Sequence, residues 1–138
     1  MAGELSEDEL AFLQGVLDHA REGRTAELAE VIAKGVPVNL TGATGDSLLI
    51  LAAYHDHPDT VRMLLEQGAD PDRVNDRGQT ALGAAVFRRS AESVKLLLDH
   101  GADPSATDPV YHATPAQWAT FLRHPAVAEY LAGQAGRA

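Results

Sequence analysis

The sequence contains no cysteine, and this excludes both a disulfide framework and a metal site built from thiolates. Long hydrophobic runs are also missing. The longest strictly apolar segment, residues 48–54, is much shorter than the about 20 residues that a membrane-spanning helix needs. Residues 1–9 are acidic and lack the basic start of a secretory signal. These absences lead us to expect a soluble cytoplasmic chain that has no membrane partner.

Positive charge is scarce as well, with 11 Lys and Arg residues against 20 Asp and Glu residues and a net charge of −9. Proteins that bind DNA or RNA neutralise phosphates with Lys and Arg, so we expect no nucleic-acid partner. Arg outnumbers Lys nine to two, a bias that fits a GC-rich genome such as a bacterial one. Aromatic residues are few too, and the positions that hold them are therefore informative.

What the sequence does contain is a segment that returns every 33 residues. Residues 68–71, Gly-Ala-Asp-Pro, come back as residues 101–104, and a weaker copy begins at Gly35. The same spacing, with one extra residue before the last unit, aligns apolar columns such as Val31, Leu64, Leu97 and Leu131. Self-similarity of this length is typical of repeat proteins. We expect one all-α domain, 1–138, with repeats at about 6–38, 39–71, 72–104 and 105–132 and a disordered tail at 133–138.

Each repeat is expected to hold two short helices joined by a turn. Ser6 and Glu9 have the spacing of a capping box, which predicts a first helix at about 7–21. Thr25 is placed to cap a second helix that Gly35 ends. The later helices are predicted at about 47–55, 80–88, 91–99, 115–122 and 125–132, with one more between Pro58 and Gly68.

Proline and glycine mark the two ends of the second helix in the later repeats. Pro58 and Pro125 suit the first helical position, where the missing N–H is not needed. Gly68 and Gly101 suit the left-handed residue that closes a helix. The pattern therefore predicts a helix–turn–helix unit whose second helix begins and ends at fixed positions.

These segments resemble ankyrin repeats, whose pattern is close to Gly-x-Thr-Pro-Leu-His-x-Ala-Ala, then Val-x-x-Leu-Leu, then Gly-Ala-Asp. The third unit is similar to it at residues 78–85 (GQTALGAA), 94–98 (VKLLL) and 101–103 (GAD). The resemblance covers about residues 14–132. It implies an L-shaped stack of antiparallel helix pairs with hairpin-like loops at one edge, and a non-enzymatic protein that binds other proteins.

The chain departs from the family pattern at several positions. The family's His after Thr-Pro-Leu is replaced by Ile50, Gly83 and Gln117. The usual hydroxyl–imidazole network therefore cannot form as it does in the family. His112 stands where the family has Gly, after a loop that is one residue longer.

The resemblance implies that a partner protein, which the sequence does not identify, is held on the concave face by loop tips and by outward positions of the first helices. Aromatic residues and Arg are enriched among the residues that dominate binding energy. Tyr54, Phe87 and Phe121 share one repeat column, and packing between neighbouring helices is the alternative interpretation of that column. The candidate partner-binding residues are Tyr54, His55, Arg77, Phe87, Arg88, Tyr111, Phe121 and Leu122.

A second hypothesis makes the protein a structural subunit that associates with a copy of itself through the same aromatic face. The first hypothesis predicts a monomer, and the second a homodimer. Trp118 shares a column with Leu51 and Ala84 and is expected in the core rather than on a ligand platform.

No arrangement of residues points to catalysis, a metal or a cofactor. His55, Asp56 and His57 form the tightest group of metal-type ligands, but no further ligand accompanies this short segment at a suitable spacing. His57 and His124 precede prolines at the start of a second helix, so each is expected to serve the turn structurally. We therefore expect neither an enzyme nor a cofactor-binding protein.

Overall fold

The computed structural model describes the backbone of residues 5–135 and the side chains of residues 5–133. Eight α-helices form in this part of the chain, two in each repeat. In chain order they are α1 (Glu7–Glu22), α2 (Thr25–Ala33), α3 (Leu48–Tyr54), α4 (Pro58–Glu66), α5 (Ala81–Phe87), α6 (Ala91–Asp99), α7 (Pro115–Phe121) and α8 (Pro125–Ala135).

The helices stack in two layers. The first helices of the repeats, α1, α3, α5 and α7, pack side by side, and the second helices α2, α4, α6 and α8 do the same. Each first helix also packs on the second helix of its own repeat. This all-α solenoid confirms the predicted fold class, and it follows from apolar stripes that no single repeat can bury alone.

The core runs through all the repeats along the predicted apolar columns. Leu28, Val61 and Val94 are buried, and so are Leu64, Leu97 and Leu131 from the neighbouring column. None of the described helices is long and apolar enough to span a membrane.

Side-chain caps begin all four first helices. The Ser6 hydroxyl accepts from the Glu9 N–H, and the Glu9 carboxylate accepts from the Ser6 N–H, each at 3.1 Å, so the predicted capping box is present. Ser47, Thr80 and Thr114 cap α3, α5 and α7 in the same way, each accepting from the N–H three residues later. These hydroxyls fix where each first helix starts.

Two predicted helix ends differ from the structure. Thr25 is the first residue of α2 rather than its cap, because its hydroxyl contacts the hydroxyl of Thr60 at 2.7 Å instead of the end of its own helix. Helix α8 continues through Ala135, past Gly133, where the sequence predicted a disordered tail, because a single Gly weakens a helix without ending it. Residues 136–138 of that predicted tail lie outside the described residues.

The predicted helix closures are present. Gly68 and Gly101 take left-handed conformations with φ of 91° and 94° after α4 and α6. His112 has a φ of 54° and so adopts the positive-φ conformation of Gly78, whose repeat position it occupies. The longer loop of the fourth repeat thus keeps the same turn with a residue that favours it less.

Candidate binding surface

Three aromatic side chains form an exposed line across the stack, here called the aromatic stripe: Tyr54, Phe87 and Phe121. They are the last residues of α3, α5 and α7. Tyr54 is 48%, Phe87 60% and Phe121 75% exposed, although Leu48–Ala53 of α3 and most of α5 are buried. The rings therefore face solvent in the isolated chain, and they are not packed between neighbouring helices.

A loop aromatic extends the stripe at the fourth repeat. The rings of Tyr111 and Trp118 meet edge to face with centroids 5.7 Å apart, and Trp118 meets Phe121 in the same way at 5.7 Å. Tyr111 is 72% exposed, whereas Trp118 is half-buried against the core. Trp118, which the sequence placed in the core, thus connects the core to the exposed rings.

Asp108 holds the loop that carries Tyr111. One carboxylate oxygen accepts from the N–H groups of Val110 and Tyr111, and the other accepts from the Ala113 N–H and from the Trp118 indole at 3.0 Å. These donors lower the pKa of Asp108 to about 2, the Tyr111 N–H having the largest effect. The carboxylate therefore fixes Tyr111 and Trp118 relative to each other.

Asn75 occupies the position of Asp108 one repeat earlier, and it fixes the loop of the third repeat. Its side-chain oxygen accepts from the N–H groups of Arg77 and Gln79, and its amide nitrogen donates to Asp46 at 2.8 Å and to the Gln79 side chain at 2.9 Å. The side chain of Arg77 is left exposed at the tip of this loop. Arg77 thus lies at the tip of a loop that the hydrogen bonds of Asn75 hold in place.

Histidine side chains join the turns between the two helices of successive repeats. The His57 Nε2–H donates to the carbonyl of Arg21 at 2.7 Å, and the His124 Nε2–H donates to the carbonyl of Arg89 at 3.2 Å. The predicted structural role of both residues in the turn agrees with these bonds. His57 thus fixes the end of α1 in the first repeat, and His124 fixes the turn that follows α5 and Phe87 in the third.

His55 follows Tyr54 and touches it. Its imidazole meets the Tyr54 ring edge to face, with centroids 5.2 Å apart, and its side chain is exposed. Partial burial lowers the pKa of His55, and the nearby His57, Arg21 and Arg88 lower it further. The imidazole thus lies near the guanidinium groups of Arg21 and Arg88, and the Asp46 carboxylate opposes their effect on its pKa.

The other candidate residues divide into exposed and half-buried ones. Arg88 is exposed directly after α5, whereas Leu122 at the equivalent position after α7 is half-buried and packs against the core. Arg89 and Arg123, which the sequence did not single out, are exposed in the same turns. The signal that could have found them is their position, two residues after Phe87 and Phe121.

Within the described residues, no three His, Asp or Glu side chains come together in a group that could hold a metal ion. His55 and His57 lie on the same turn, but they contact Tyr54 and the Arg21 carbonyl respectively. The surface instead presents exposed aromatic rings, guanidinium groups and loops held by hydrogen bonds. These groups are suited to contact with another protein surface.

Comparison with known proteins adds the family. A family model for ankyrin repeats matches three copies over residues 17–108, more than half of the chain. The chain is 43% identical over 60 residues to an ankyrin repeat protein of Pseudomonas aeruginosa, covering 44% of this chain and 35% of that protein.

Eukaryotic proteins are similar as well. The chain is 41% identical over 69 residues to the oxysterol-binding protein-related protein 1 of Rattus norvegicus, covering 49% of this chain and 7% of that protein. It is 43% identical over 54 residues to an E3 ubiquitin-protein ligase of Arabidopsis thaliana, covering 38% of this chain and 3% of that protein. The chain thus spans about a third of the bacterial relative and under a tenth of the other two. The repeated sequence, the stacked helix pairs and the match of the family model agree, and the chain belongs to the ankyrin-repeat family.

Proposed function

We propose that the protein is a non-enzymatic, cytoplasmic interaction module that binds a partner protein through the aromatic stripe and the adjoining loop tips. Ankyrin repeats are generally protein-interaction modules and are generally not enzymes, and this chain has their fold.

The exposed aromatic column carries the proposal. Seven aromatic residues are present in the whole chain, and three of them, Tyr54, Phe87 and Phe121, occupy one repeat position where they face solvent. Burying such rings against a partner removes a large apolar area from water at a small cost in side-chain entropy. Arg77 and Arg88 add directional donors beside the rings.

A comparison of two double variants tests the proposal. Tagged wild-type protein, Phe87→Ala/Arg88→Ala and the control Arg62→Ala/Lys95→Ala are used to capture proteins from the source cell, and the captured protein is then purified for calorimetry. Arg62 and Lys95 lie exposed on the second helices α4 and α6, away from the stripe. We expect the stripe variant to lose about 2 kcal/mol or more of affinity for the purified partner and the control to lose little.

The opposite pattern contradicts the proposal: a partner that binds the stripe variant normally and fails to bind the control variant. Self-association through the same rings is the alternative function, because exposed aromatic residues also suit a second copy of the chain. Light scattering over a concentration series separates the two. A monomer at all concentrations agrees with partner binding, and a dimer that Phe87→Ala dissociates favours self-association.

A further inference from the structure

Positive charge is unevenly distributed along the turns that border the aromatic stripe. The chain has a net charge of −9, yet the turn segments 87–91 and 121–125 contain Arg88, Arg89 and Arg123 and no acidic residue. The corresponding turn of the second repeat carries Asp56, and that of the first carries Glu22. The three arginines, here called the arginine edge, thus form a local cationic region on an acidic protein.

Among the described side chains, the arginine edge differs from most other cations in having no carboxylate partner. Among the described side chains, no Asp or Glu forms an ion pair with Arg88, Arg89 or Arg123. Ion pairs are instead made by Arg21 with Asp18, Arg24 with Glu22, Lys34 with Glu30, Arg62 with Glu92, and Arg73 with Asp70. The guanidinium charges beside the stripe are therefore available to groups outside the chain.

Hydrogen bonds bring the members of the edge together. The Arg89 guanidinium donates to the carbonyl of Arg123 at 3.3 Å, and the His124 ring donates to the carbonyl of Arg89 at 3.2 Å. The turns of the third and fourth repeats are thus fixed side by side, directly after the rings of Phe87 and Phe121. Arg88 lies toward the second repeat, where its charge contributes to the lowered pKa of His55.

A structural role accounts for only part of this arrangement. A cation after a helix is favoured by the negative end of the helix dipole, so Arg88 after α5 stabilises its own helix slightly. This effect falls off within a turn and gives no reason for exposed rings next to the cations. Apolar rings bordered by unpaired guanidinium groups are instead complementary to a surface with apolar side chains and carboxylates.

We propose that the occupant of the aromatic stripe is an acidic peptide segment of the partner protein, in which carboxylates flank an aromatic or branched apolar anchor. The inference rests on the function proposed above. The anchor packs on Phe87 and Phe121, and the carboxylates pair with Arg88, Arg89 and Arg123, whose planar guanidinium groups match carboxylates with two donors each. The net negative charge elsewhere on the chain disfavours other approaches of the same segment.

A random peptide library displayed on phage is the probe that tests this chemistry. Selection on the wild-type chain is expected to enrich sequences in which Asp or Glu flank an aromatic or branched apolar residue. A synthetic peptide from the selection is then measured by fluorescence anisotropy with wild-type protein and with Arg88→Gln/Arg89→Gln/Arg123→Gln. We expect the triple change to weaken binding about tenfold, since exposed ion pairs are individually modest. Added salt is expected to weaken binding to the wild-type chain.

The matched control is Arg62→Gln/Arg73→Gln/Lys95→Gln, which removes the same amount of charge elsewhere and is expected to leave peptide affinity unchanged. A second readout needs no variant of the protein. The selected peptide with Asp replaced by Asn and Glu by Gln is expected to bind the wild-type chain about tenfold more weakly. This readout decides the matter even where the triple variant folds poorly.

Other outcomes overturn the inference, and they separate it from the proposed function. Enrichment of neutral or basic peptides, or of none, shows that the stripe does not select acidic segments. If neutral peptides are enriched and Phe87→Ala abolishes their binding, the stripe is still a protein-binding face and only the acidic partner is wrong. If acidic peptides bind Phe87→Ala and the arginine variant normally, both proposals are wrong. A single-stranded oligonucleotide that displaces the peptide and needs the arginine edge would replace the acidic peptide with a nucleic acid.

Discussion

The hydroxyl oxygens of Thr25 and Thr60 lie 2.7 Å apart and join α2 of the first repeat to α4 of the second. Thr60 is fully buried, so this bond satisfies a hydroxyl that water cannot reach. One repeat later, Ser93 takes the place of Thr60 and Pro58 takes the place of Thr25. Proline has no hydroxyl, and the Ser93 Oγ is buried with no hydrogen-bond partner among the described residues.

Ser93→Ala is therefore expected to stabilise the protein. The change removes a buried polar group that makes no hydrogen bond, and we expect the free energy of unfolding to rise by about 1 kcal/mol. Urea unfolding monitored by circular dichroism measures it. The matched control is Thr60→Val, which keeps the side-chain shape but removes the hydrogen bond to Thr25, and it is expected to lower the free energy of unfolding by about 1 kcal/mol. A lower urea midpoint for Ser93→Ala would show that its hydroxyl is satisfied.

Gly23→Ala is expected to be strongly destabilising, for two reasons. Gly23 has a φ of 72°, and a Cβ at this residue would lie 2.5 Å from Nδ1 of His57. The His57 ring would have to move and lose its bond to the Arg21 carbonyl. We expect the free energy of unfolding to fall by more than about 2 kcal/mol, the sum of backbone strain and the lost hydrogen bond.

A double-mutant cycle separates the two causes. In a His57→Ala background no ring stands next to the new methyl group, so Gly23→Ala should cost only the strain of about 1 kcal/mol. Equal costs in both backgrounds would mean that His57 does not pack over Gly23.

Arg123→Gly is expected to stabilise the protein, although it removes a large side chain. Arg123 has a φ of 57°, which glycine adopts without strain, and Gly23 holds the same repeat position in the first unit. The relief of backbone strain at residue 123 exceeds the cost of the added entropy of the unfolded chain. We therefore expect the free energy of unfolding, measured in thermal melts, to rise by about 0.5–1 kcal/mol. Arg88→Gly is the control. Arg88 has a φ of −78°, so no strain is relieved there, and the change should lower the free energy of unfolding by a similar amount. A loss at both positions would contradict the assignment of strain to Arg123.

The sequence predicted the stack because its signals are local and repeated. Apolar columns, hydroxyl caps and closing glycines recur at a fixed spacing, so an error in one repeat is corrected by the others. Thr25 was misassigned because its hydroxyl is used by Thr60 in the next repeat. Such a tertiary contact leaves no trace in local spacing.

The binding surface was harder to predict than the fold. An aromatic residue at a helix end suits either a half-buried packing position or an exposed one, and only the packing of neighbouring helices decided for Phe87 and Phe121. Arg89 and Arg123 were not predicted because they lie one residue beyond Arg88 and Leu122, the last residues of the predicted binding face in their repeats. Leu122 was predicted as a binding residue because it shares a repeat position with Arg88, but the Leu122 side chain packs against the core.

Acid is expected to loosen the loop of the fourth repeat through Asp108. Its pKa in the folded protein is about 2, below the ordinary value of 3.8, so the ionised carboxylate stabilises the fold above pH 3.8. That contribution is lost as the pH falls from 3.8 toward about 2. Trp118 is the one Trp in the chain and donates to Asp108, so its fluorescence should follow the titration. Asp108→Asn should remove this pH dependence, whereas Asp59→Asn on α4 should keep it, and an unchanged profile in Asp108→Asn would contradict the assignment.

The final prediction separates residues that hold the fold from residues that are available for binding. Leu97 is 0% exposed in α6, and Leu97→Ala should lower the free energy of unfolding by about 2–5 kcal/mol through lost burial and a residual cavity. Phe87 is 60% exposed, and Phe87→Ala should change the free energy of unfolding by less than about 1 kcal/mol, although phenylalanine is a larger side chain than leucine. Urea unfolding of both variants beside the surface control Lys95→Ala measures the contrast. If Phe87→Ala unfolds as easily as Leu97→Ala, the ring belongs to the core and the aromatic stripe loses its central member.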